Sequence, residues 1–180
     1  DVIQEMQDQK ISFPAVIRFH DILRSRVIDL NESFIRSISE NNYCGKFMGV
    51  YPVKVNQMRE VVEEIVEAGE KYRFGLEAGS KAELLSVLAM NVSSESLTIL
   101  NGYKDEEYIR LALLGHKMGR NVVIVVEKPS ELQPIIKLSK ECNVRPTIGI
   151  RAKLGLKSVG KWEDSSGERA KFGLCSSEII

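Results

Sequence analysis

The sequence has few of the residues that mark special classes of protein. Among its 180 residues are three cysteines, two histidines and one tryptophan. Cys44, Cys142 and Cys175 lie far apart without the spacing of zinc ligands, so we expect neither a disulfide framework nor a zinc site. His20 and His116 have no partners at the spacing of a catalytic triad or a metal site. Free thiols are typical of a reducing compartment, and we expect a cytoplasmic protein.

The chain also lacks an excess of charge of either sign and any long apolar run. Lysine and arginine total 25, and aspartate and glutamate total 25, so the formal net charge is zero. A balanced charge does not attract nucleic acid or an anionic membrane surface, and we expect neither partner. No apolar run approaches the roughly 20 residues of a membrane helix, and the first residues carry no signal-peptide pattern. With 43% hydrophobic residues, the sequence is typical of one globular domain.

Short apolar runs alternate with amphipathic helical patterns at a steady period. The predicted strands begin near positions 47, 74, 97, 121 and 146, in steps of 27, 23, 24 and 25 residues. Near-continuous apolar strands are typical of parallel strands covered on both faces. We therefore predict an α/β fold of about five parallel βα units, either part of a (β/α)8 TIM-type barrel or a doubly wound sheet. Sequential strand order with curvature toward closure is our expectation, and it would indicate the barrel.

This pattern divides residues 1–180 into four parts of one barrel segment. We expect an N-terminal segment and helix over 1–46, βα units over 47–153, a long loop over 154–169 and the start of another helix over 170–180. A loop of that length is typical of a lid, a binding loop or a dimer contact. The chain starts without methionine and stops as a helix begins, so we expect a fragment of a longer protein.

Several finer expectations concern element boundaries and packing. The first strand is predicted over 47–53. The candidate helix caps are Asp21, Asn56, the pair Ser80 and Glu83, and the pair Ser130 and Gln133. A further helix is predicted to begin at about Asp105. The predicted buried face of the first long helix consists of Leu23, Val27, Leu30, Phe34 and Ile38. Gly49 and Gly75 are expected to permit close packing of strands against helices.

Each predicted strand is followed directly by a polar residue. In chain order these residues are Lys54, Glu77, Asn101, Glu127 and Arg151. Because parallel strands end at the same edge of a sheet, we expect these side chains to form a polar ring there. For Asn101 and Glu127, ordinary solvation in a loop is the preferred interpretation.

Lys54, Glu77 and Arg151 are the candidate site residues of this ring. A lysine can act as a Schiff-base nucleophile, an arginine can bind an anionic or heteroaromatic ligand, and a carboxylate can balance the charge. Two simpler interpretations stay open on these residues alone. The three could form an ordinary cluster of ion pairs, and Lys54 could extend into solvent from a strand end.

Several stretches resemble the biosynthetic arginine decarboxylases, which are PLP enzymes of the alanine-racemase-like barrel type (fold type III). The motif Tyr-Pro-Val-Lys-Val-Asn-Gln at 51–57 is similar to their cofactor-lysine motif. The further similar stretches are 75–84, 101–105, 149–152 and 171–174. Relatives that act on diaminopimelate or ornithine usually carry alanine where Pro52 stands, so the resemblance favours the arginine branch.

The resemblance implies a role for each of the candidate residues. Lys54 would bind PLP covalently and act in catalysis, Glu77 would lie near that link, and Arg151 would lie beside the cofactor ring. Lys171 matches a lysine at a subunit interface, so the resemblance implies a homo-oligomer of the full-length protein. The implied reaction converts L-arginine to agmatine and CO2 in polyamine biosynthesis. Mg²⁺ is a further expected ion on the basis of the resemblance alone.

The resemblance also implies that this segment is inactive by itself, because the family's phosphate loop and residues from a second subunit belong to other stretches. Two other functions stay open. One is a catalytically silent homologue that acts as a binding or regulatory protein. The other is a phosphate-binding barrel with unrelated chemistry, in which Lys54 only anchors a charge.

Overall fold

Five parallel strands form one sheet, and a helix follows each of the first four. The computed structural model describes residues 1–154 and 170–180. The strands are β1 (Val50–Pro52), β2 (Gly75–Ala78), β3 (Leu97–Leu100), β4 (Asn121–Val126) and β5 (Thr147–Ile150). The helices are α1 (Val2–Asp8), α2 (His20–Glu40), α3 (Arg59–Gly69), α4 (Lys81–Ala89), α5 (Glu106–Lys117), α6 (Leu132–Cys142) and α7 (Ser176–Ile179).

The strand order confirms the predicted architecture. The order in the sheet is β1-β2-β3-β4-β5, and every neighbouring pair is parallel. A doubly wound sheet would reverse its order at a switch point, and β1 would then have neighbours on both sides. Within the described residues β1 pairs with β2 alone. Beyond β5, Ala152 forms a parallel bridge to Leu174, so the chain continues the sheet in the same direction.

The main core lies between one face of the sheet and the helices α4, α5 and α6. Strands β3 and β4 alternate between buried and half-buried residues, as expected when their two faces differ. The buried face contributes Leu76, Leu100 and Ile124, which are at most 1% exposed, and Ile109 and Leu113 of α5 pack against it. The opposite face remains more open, and it bears the site described below.

The first strand is shorter than predicted. It covers Val50–Pro52 rather than 47–53, and Val53–Val55 forms a turn of 3-10 helix. Proline has no backbone N–H to donate, which accounts for the end of the hydrogen-bonded ladder at Pro52. Phe47 lies before the strand, where its ring stacks on Phe34 at 3.9 Å between centroids. Lys54 is therefore carried by a turn rather than by the strand itself.

Two of the predicted helix starts are confirmed. The Ser80 hydroxyl accepts a hydrogen bond from the Glu83 N–H at 3.3 Å, and α4 begins there. The Glu83 carboxylate accepts from the N–H of Gly79 rather than from that of Ser80. Asp105, the predicted first residue of the next helix, caps α5 by accepting from the Tyr108 N–H at 2.9 Å.

The other predicted caps are wrong. Helix α2 begins at His20, so Asp21 lies in its first turn, where a carboxylate favours the helix dipole. Asn56 accepts from the Met58 N–H, but α3 begins only at Arg59. Ser130 lies within a 3-10 turn, Pro129–Glu131, and α6 follows it directly.

The predicted buried face of α2 is only partly right. Val27 is buried and Leu23 packs against the same cluster, but Leu30 and Phe34 are 44% and 45% exposed. Helix α2 packs mainly against α3, and Phe34 also stacks on Phe47, so the described residues cover only part of the apolar stripe. The predicted loop 154–169 lies, except for Leu154, outside the described residues.

The two glycines that were expected to pack against helices do something else. A Cβ on Gly75 would lie 2.1 Å from the carbonyl oxygen of Leu97, so this glycine permits the close approach of β3. A Cβ on Gly49 would lie 2.0 Å from the ring of Phe74. Both sites lie at the amino ends of the strands, where close packing determines how the sheet is assembled.

Candidate active site

The five polar residues of the predicted ring lie at the carboxyl edge of the sheet, but not all of them directly follow a strand. Lys54 lies in the turn after β1, and Glu77 lies within β2, which continues to Ala78. Lys54, Glu77, Asn101 and Arg151 line an open cavity of about 660 Å³ at this edge. Its apolar wall is formed by Val50, Ile99, Val125, Ile150 and Phe172. The structure therefore brings the three candidate residues of the sequence together along one cavity, although they come from the turn after β1, from β2 and from the position after β5.

Glu77 is the most buried carboxylate of the cavity wall. It is 7% exposed, and its Oε1 accepts a hydrogen bond from Asn101 Nδ2 at 3.1 Å. Within residues 1–154 and 170–180, its Oε2 is shielded from solvent and has no hydrogen-bond partner. An unpaired buried carboxylate oxygen costs free energy. Glu77 thus offers a free acceptor to a ligand in the cavity.

Lys54 presents its amine at the side of the cavity next to β1. The side chain is exposed, and the described part of the chain forms no hydrogen bond or ion pair with it. A lysine whose nitrogen is not held by a carboxylate keeps that nitrogen free to react with a ligand. The Lys54 amine is therefore available for the Schiff-base chemistry that the sequence predicts.

Arg151 and Glu127 form an ion pair across the ends of β4 and β5. Arg151 Nη1 lies 3.3 Å from both carboxylate oxygens of Glu127. The arginine side chain is 49% exposed, whereas that of Glu127 is fully buried. Glu127 also accepts from the N–H of Gly102 at 2.7 Å. The expectation that Glu127 is a solvated loop residue is therefore wrong, because Gly102 and Arg151 take the place of water at its carboxylate.

Asn101 is also tied into the site rather than simply solvated. Its side-chain amide donates to Glu77, and its backbone N–H donates to the Ala78 carbonyl at 2.9 Å. The hydroxyl of Tyr108 donates to that same carbonyl, also at 2.9 Å. Burial, with a smaller contribution from the nearby Glu77 carboxylate, raises the pKa of Tyr108. The phenol is therefore a neutral hydrogen-bond donor that supports this edge of the sheet.

A buried pair behind the cavity, Lys104 and Glu131, was not expected from the sequence. Their side chains are 0% and 4% exposed, and Lys104 Nζ lies 3.4 Å from Glu131 Oε2. Burial lowers the pKa of Lys104, while the carboxylates of Glu131 and Glu127 oppose that effect. The two residues are 27 positions apart, and no local pattern predicts that they meet. The nearest sequence signal is the four-residue spacing between Glu127 and Glu131.

Aromatic and basic side chains form the rim of the cavity near β5. Tyr103 donates to the backbone carbonyl of Lys171 at 2.6 Å, which ties the 170–174 segment to the loop after β3. Phe172 lies against Tyr103 at 4.9 Å between centroids, and the Arg151 guanidinium lies 5.3 Å from the Phe172 ring. Lys128 Nζ lies 3.2 Å from the centroid of Tyr103. The rim thus carries basic side chains, and the Phe172 ring contacts the arginine from one side.

Among the described residues, no helix is both long and apolar enough to cross a membrane. In residues 1–154 and 170–180, no three histidine, cysteine, aspartate or glutamate side chains group closely enough to hold a metal ion.

Comparison with known proteins gives consistent matches to one family. The family model for the pyridoxal binding domain of pyridoxal-dependent decarboxylases matches residues 31–179. A biosynthetic arginine decarboxylase from Phocaeicola vulgatus is 51% identical over 180 residues, which are 100% of this chain and 29% of that protein. One from Deinococcus radiodurans is 46% identical over 179 residues, which are 99% of this chain and 27% of that protein. The chain thus spans less than a third of the length of these relatives.

Solved structures agree with these sequence matches. A biosynthetic arginine decarboxylase from Campylobacter jejuni superposes with a TM-score of 0.81 and 34% identity, over 99% of this chain and 28% of that one. A diaminopimelate decarboxylase from M. jannaschi superposes with a TM-score of 0.65 over 89% of this chain and 34% of that one. Its identity of 24% supports the fold alone. With a family model that matches most of its length, the chain belongs to the pyridoxal-dependent decarboxylases and carries part of their pyridoxal binding domain.

Proposed function

We propose that this chain is the cofactor-lysine segment of an arginine decarboxylase that converts L-arginine to agmatine and CO2. The observation that carries the proposal is the convergence of Lys54, Glu77 and Arg151 on one cavity at the carboxyl ends of the strands. Relatives named biosynthetic arginine decarboxylase match the whole chain at up to 51% identity. In parallel βα folds, reactive groups lie at this edge.

The residues of the cavity fit pyridoxal phosphate. The ligand is a flat ring with an aldehyde, polar ring substituents and a phosphate. The cavity provides an amine at Lys54, an unpaired buried acceptor at Glu77 Oε2 and a cation at Arg151. Its volume of about 660 Å³ lies within the range of roughly 300–1,000 Å³ that is usual for small-molecule sites. The donor set therefore suits the cofactor of the family.

Each of the three residues has a distinct task in this proposal. Lys54 would hold the cofactor through its side-chain nitrogen. Glu77 would offer its unpaired Oε2 as an acceptor, and Asn101 keeps its carboxylate in place. Arg151 would contribute a cation to the binding of the cofactor, with its charge balanced by Glu127. When bound, PLP supplies an electron sink for the pair released as CO2 departs.

The apolar wall limits the access of water to the reacting groups from one side of the cavity. Val50, Ile99 and Val125 line the cavity on the open face of the sheet. Charge interactions are stronger where water is excluded, so this wall strengthens the effect of Glu77 and Arg151 on the reaction. In the overall reaction, the bond from Cα to the carboxylate breaks, and a proton takes the place of CO2 on Cα.

The whole protein is proposed to act in polyamine biosynthesis with L-arginine as its substrate. We further propose a cytoplasmic homo-oligomer, with Lys171 at a subunit contact, and Mg²⁺ as an accessory ion on the family resemblance alone. The extent of this segment as 1–180 of a larger barrel domain also stays a prediction.

The test is substrate turnover by the full-length protein. The protein would be freed of cofactor, supplied with or without PLP, and incubated separately with L-arginine, L-ornithine and diaminopimelate. We expect PLP-dependent formation of agmatine and CO2 from L-arginine, and little product from the other two. A protein that binds PLP but acts on none of the three would be the silent homologue. Preference for another substrate would overturn the arginine assignment alone.

A further inference from the structure

The pair of Lys104 and Glu131 is buried beside the cavity but does not line it. Their side chains are 0% and 4% exposed, and neither residue belongs to the cavity wall. A buried ion pair contributes little net stability, because the loss of hydration offsets the attraction between the charges. Such a pair is better explained by what it holds in place.

Glu131 connects the loops that follow β3 and β4. Its Oε1 accepts from the backbone N–H of Lys104 at 3.0 Å, and its Oε2 accepts from that of Glu127 at 2.9 Å. Lys104 Nζ donates to the Gly102 carbonyl at 2.6 Å. One carboxylate thus sets the distance between the two loops, and its lysine partner fixes the turn at Gly102.

Both loops meet at the side chain of Glu127. Gly102 donates its N–H to Glu127 Oε1, while Glu131 holds the backbone of Glu127. The fixed carboxylate then faces Arg151, whose Nη1 lies 3.3 Å from each oxygen. A change in the Lys104–Glu131 pair would therefore move Glu127 first and Arg151 second.

We propose that Glu131, with Lys104, is a positioning residue that orients Arg151 toward the cofactor by holding Glu127. The inference rests on the proposed function for the role of Arg151, but the chain of contacts is independent of it. Glu131 itself touches neither the cavity nor a reacting atom. Its effect reaches the site through one carboxylate and one guanidinium.

The substitution Glu131→Gln tests this role sharply, because its size is unchanged. Both carboxylate oxygens accept from backbone N–H groups, and an amide has only one oxygen. The amide nitrogen must face a second donor, so one of the two loops is released. Lys104→Met is the second variant, since it keeps both of these hydrogen bonds and removes only the ammonium group.

Arg120→Met is the matched control for a general loss of stability. Arg120 is a half-buried cation at the amino end of β4, on the opposite edge of the sheet. Its guanidinium donates to the carbonyls of Leu88, Met90 and Val92, near the end of α4. Its removal disturbs buried hydrogen bonds as well, but far from Glu127 and Arg151.

The first measurement uses the full-length apoenzyme and does not depend on catalysis. The rate at which phenylglyoxal modifies Arg151 would be followed by peptide mass spectrometry. In Glu131→Gln we expect a rise of about fivefold or more, since Arg151 loses its fixed partner, and in Arg120→Met less than about twofold. An unchanged rate in Glu131→Gln, or an equal rise in the control, would overturn the proposal. Should Glu131→Gln fail to fold, Lys104→Met must show a rise of about threefold for the proposal to stand.

The second measurement is a double-mutant cycle on cofactor affinity in the full-length enzyme. Glu131→Gln should weaken PLP binding by about tenfold in the wild-type background, but by less than about twofold in the presence of Arg151→Met. Equal losses in both backgrounds would mean that Glu131 acts on folding and not through Arg151. If the wild type binds no PLP, the proposed function fails, and the reactivity of Arg151 still decides the positioning role.

Discussion

The two edges of the sheet are built in opposite ways. At the carboxyl edge, the charged side chains Glu77, Glu127, Lys104 and Glu131 are buried and held by specific hydrogen bonds. At the amino edge, Phe74 is 6% exposed, in contact with an apolar cluster from α2 and α3. Burial of apolar surface stabilises a fold, whereas burial of charge costs free energy unless each group is paired.

Stability and ligand binding depend on opposite edges of the sheet. Phe74 packs so closely that a Cβ on Gly49 or Gly69 would lie 2.0 Å or 2.4 Å from its atoms. At the carboxyl edge, by contrast, the Phe172 ring is only half-buried among the described residues. The amino edge therefore contributes stability. The carboxyl edge presents polar groups to a ligand at a cost to that stability.

The largest expected effect is on turnover. Lys54→Ala in the full-length enzyme should reduce agmatine formation by several powers of ten, on the order of 4 kcal/mol or more in barrier height. Its thermal midpoint should stay close to that of wild type, since the side chain is exposed. Lys137→Ala removes another exposed lysine, one that pairs with Glu106, and should leave turnover unchanged. Near-normal turnover in Lys54→Ala would mean that the lysine has no catalytic role.

The next effect concerns stability and compares two phenylalanines. Phe74→Ala leaves a cavity at the amino edge and should destabilise the domain by about 3–5 kcal/mol. Phe172→Ala removes a half-buried ring at the other edge and should cost much less stability, while it weakens PLP binding through Arg151. Hydrogen exchange of the β1 and β2 amides and PLP titration of the full-length protein measure the two effects. Equal destabilisation by both changes would contradict the contrast between the edges.

A smaller effect on stability is expected when a glycine at either edge is replaced by alanine. Gly102 and Gly119 both have positive φ, at 75° and 86°. A Cβ on Gly102 would also lie 2.3 Å from the Gly79 carbonyl oxygen, whereas nothing lies within 4 Å of one on Gly119. Gly119→Ala should therefore cost only about 1 kcal/mol of backbone strain, and Gly102→Ala clearly more.

Thermal unfolding of the two full-length glycine variants shows which of them loses more stability. Gly102→Ala should also weaken PLP binding, because the Gly102 N–H holds Glu127. If the two variants lose the same stability, the close approach of the loops at Gly79 does not limit the fold.

The smallest predicted effect is a pH dependence at the N-terminus of α5. The hydrogen bond from Lys81, together with that from the Tyr108 N–H, lowers the pKa of Asp105. A carboxylate with a lowered pKa stabilises the folded state above its ordinary pKa of about 4, and this contribution is lost as the pH falls through the lowered value. The thermal midpoints of wild type and Asp105→Asn should differ slightly at pH 7 and converge in acid. A difference that grows as the pH falls would contradict the assignment, and Lys81→Met should show less of the effect.

The fold could be predicted from the sequence because its signals are local. The apolar runs, their steady spacing and the caps at Ser80 and Asp105 each depend on residues a few positions apart. The extent of β1 was overestimated because the apolar run continues past Pro52, where the ladder ends. The exposed part of α2, at Leu30 and Phe34, could not be foreseen because periodicity does not reveal what covers a face.

Only the location of the site and its three candidate residues could be predicted from the sequence. Parallel strands bring their ends together, so Lys54, Glu77 and Arg151 were expected at one edge. The state of each side chain depends on partners that are distant in sequence. Glu127 is buried because Gly102 and Arg151 bind it, and both are about 25 residues away.

Lys54 is proposed to carry the cofactor, and covalent trapping is the most direct test of this role. The full-length protein would be loaded with PLP and reduced with borohydride, which makes the link between a lysine and the cofactor permanent. Peptide mass spectrometry would then locate the added pyridoxyl group. We predict one modified peptide, with the group on Lys54. Modification of another lysine instead, or of none, would contradict it.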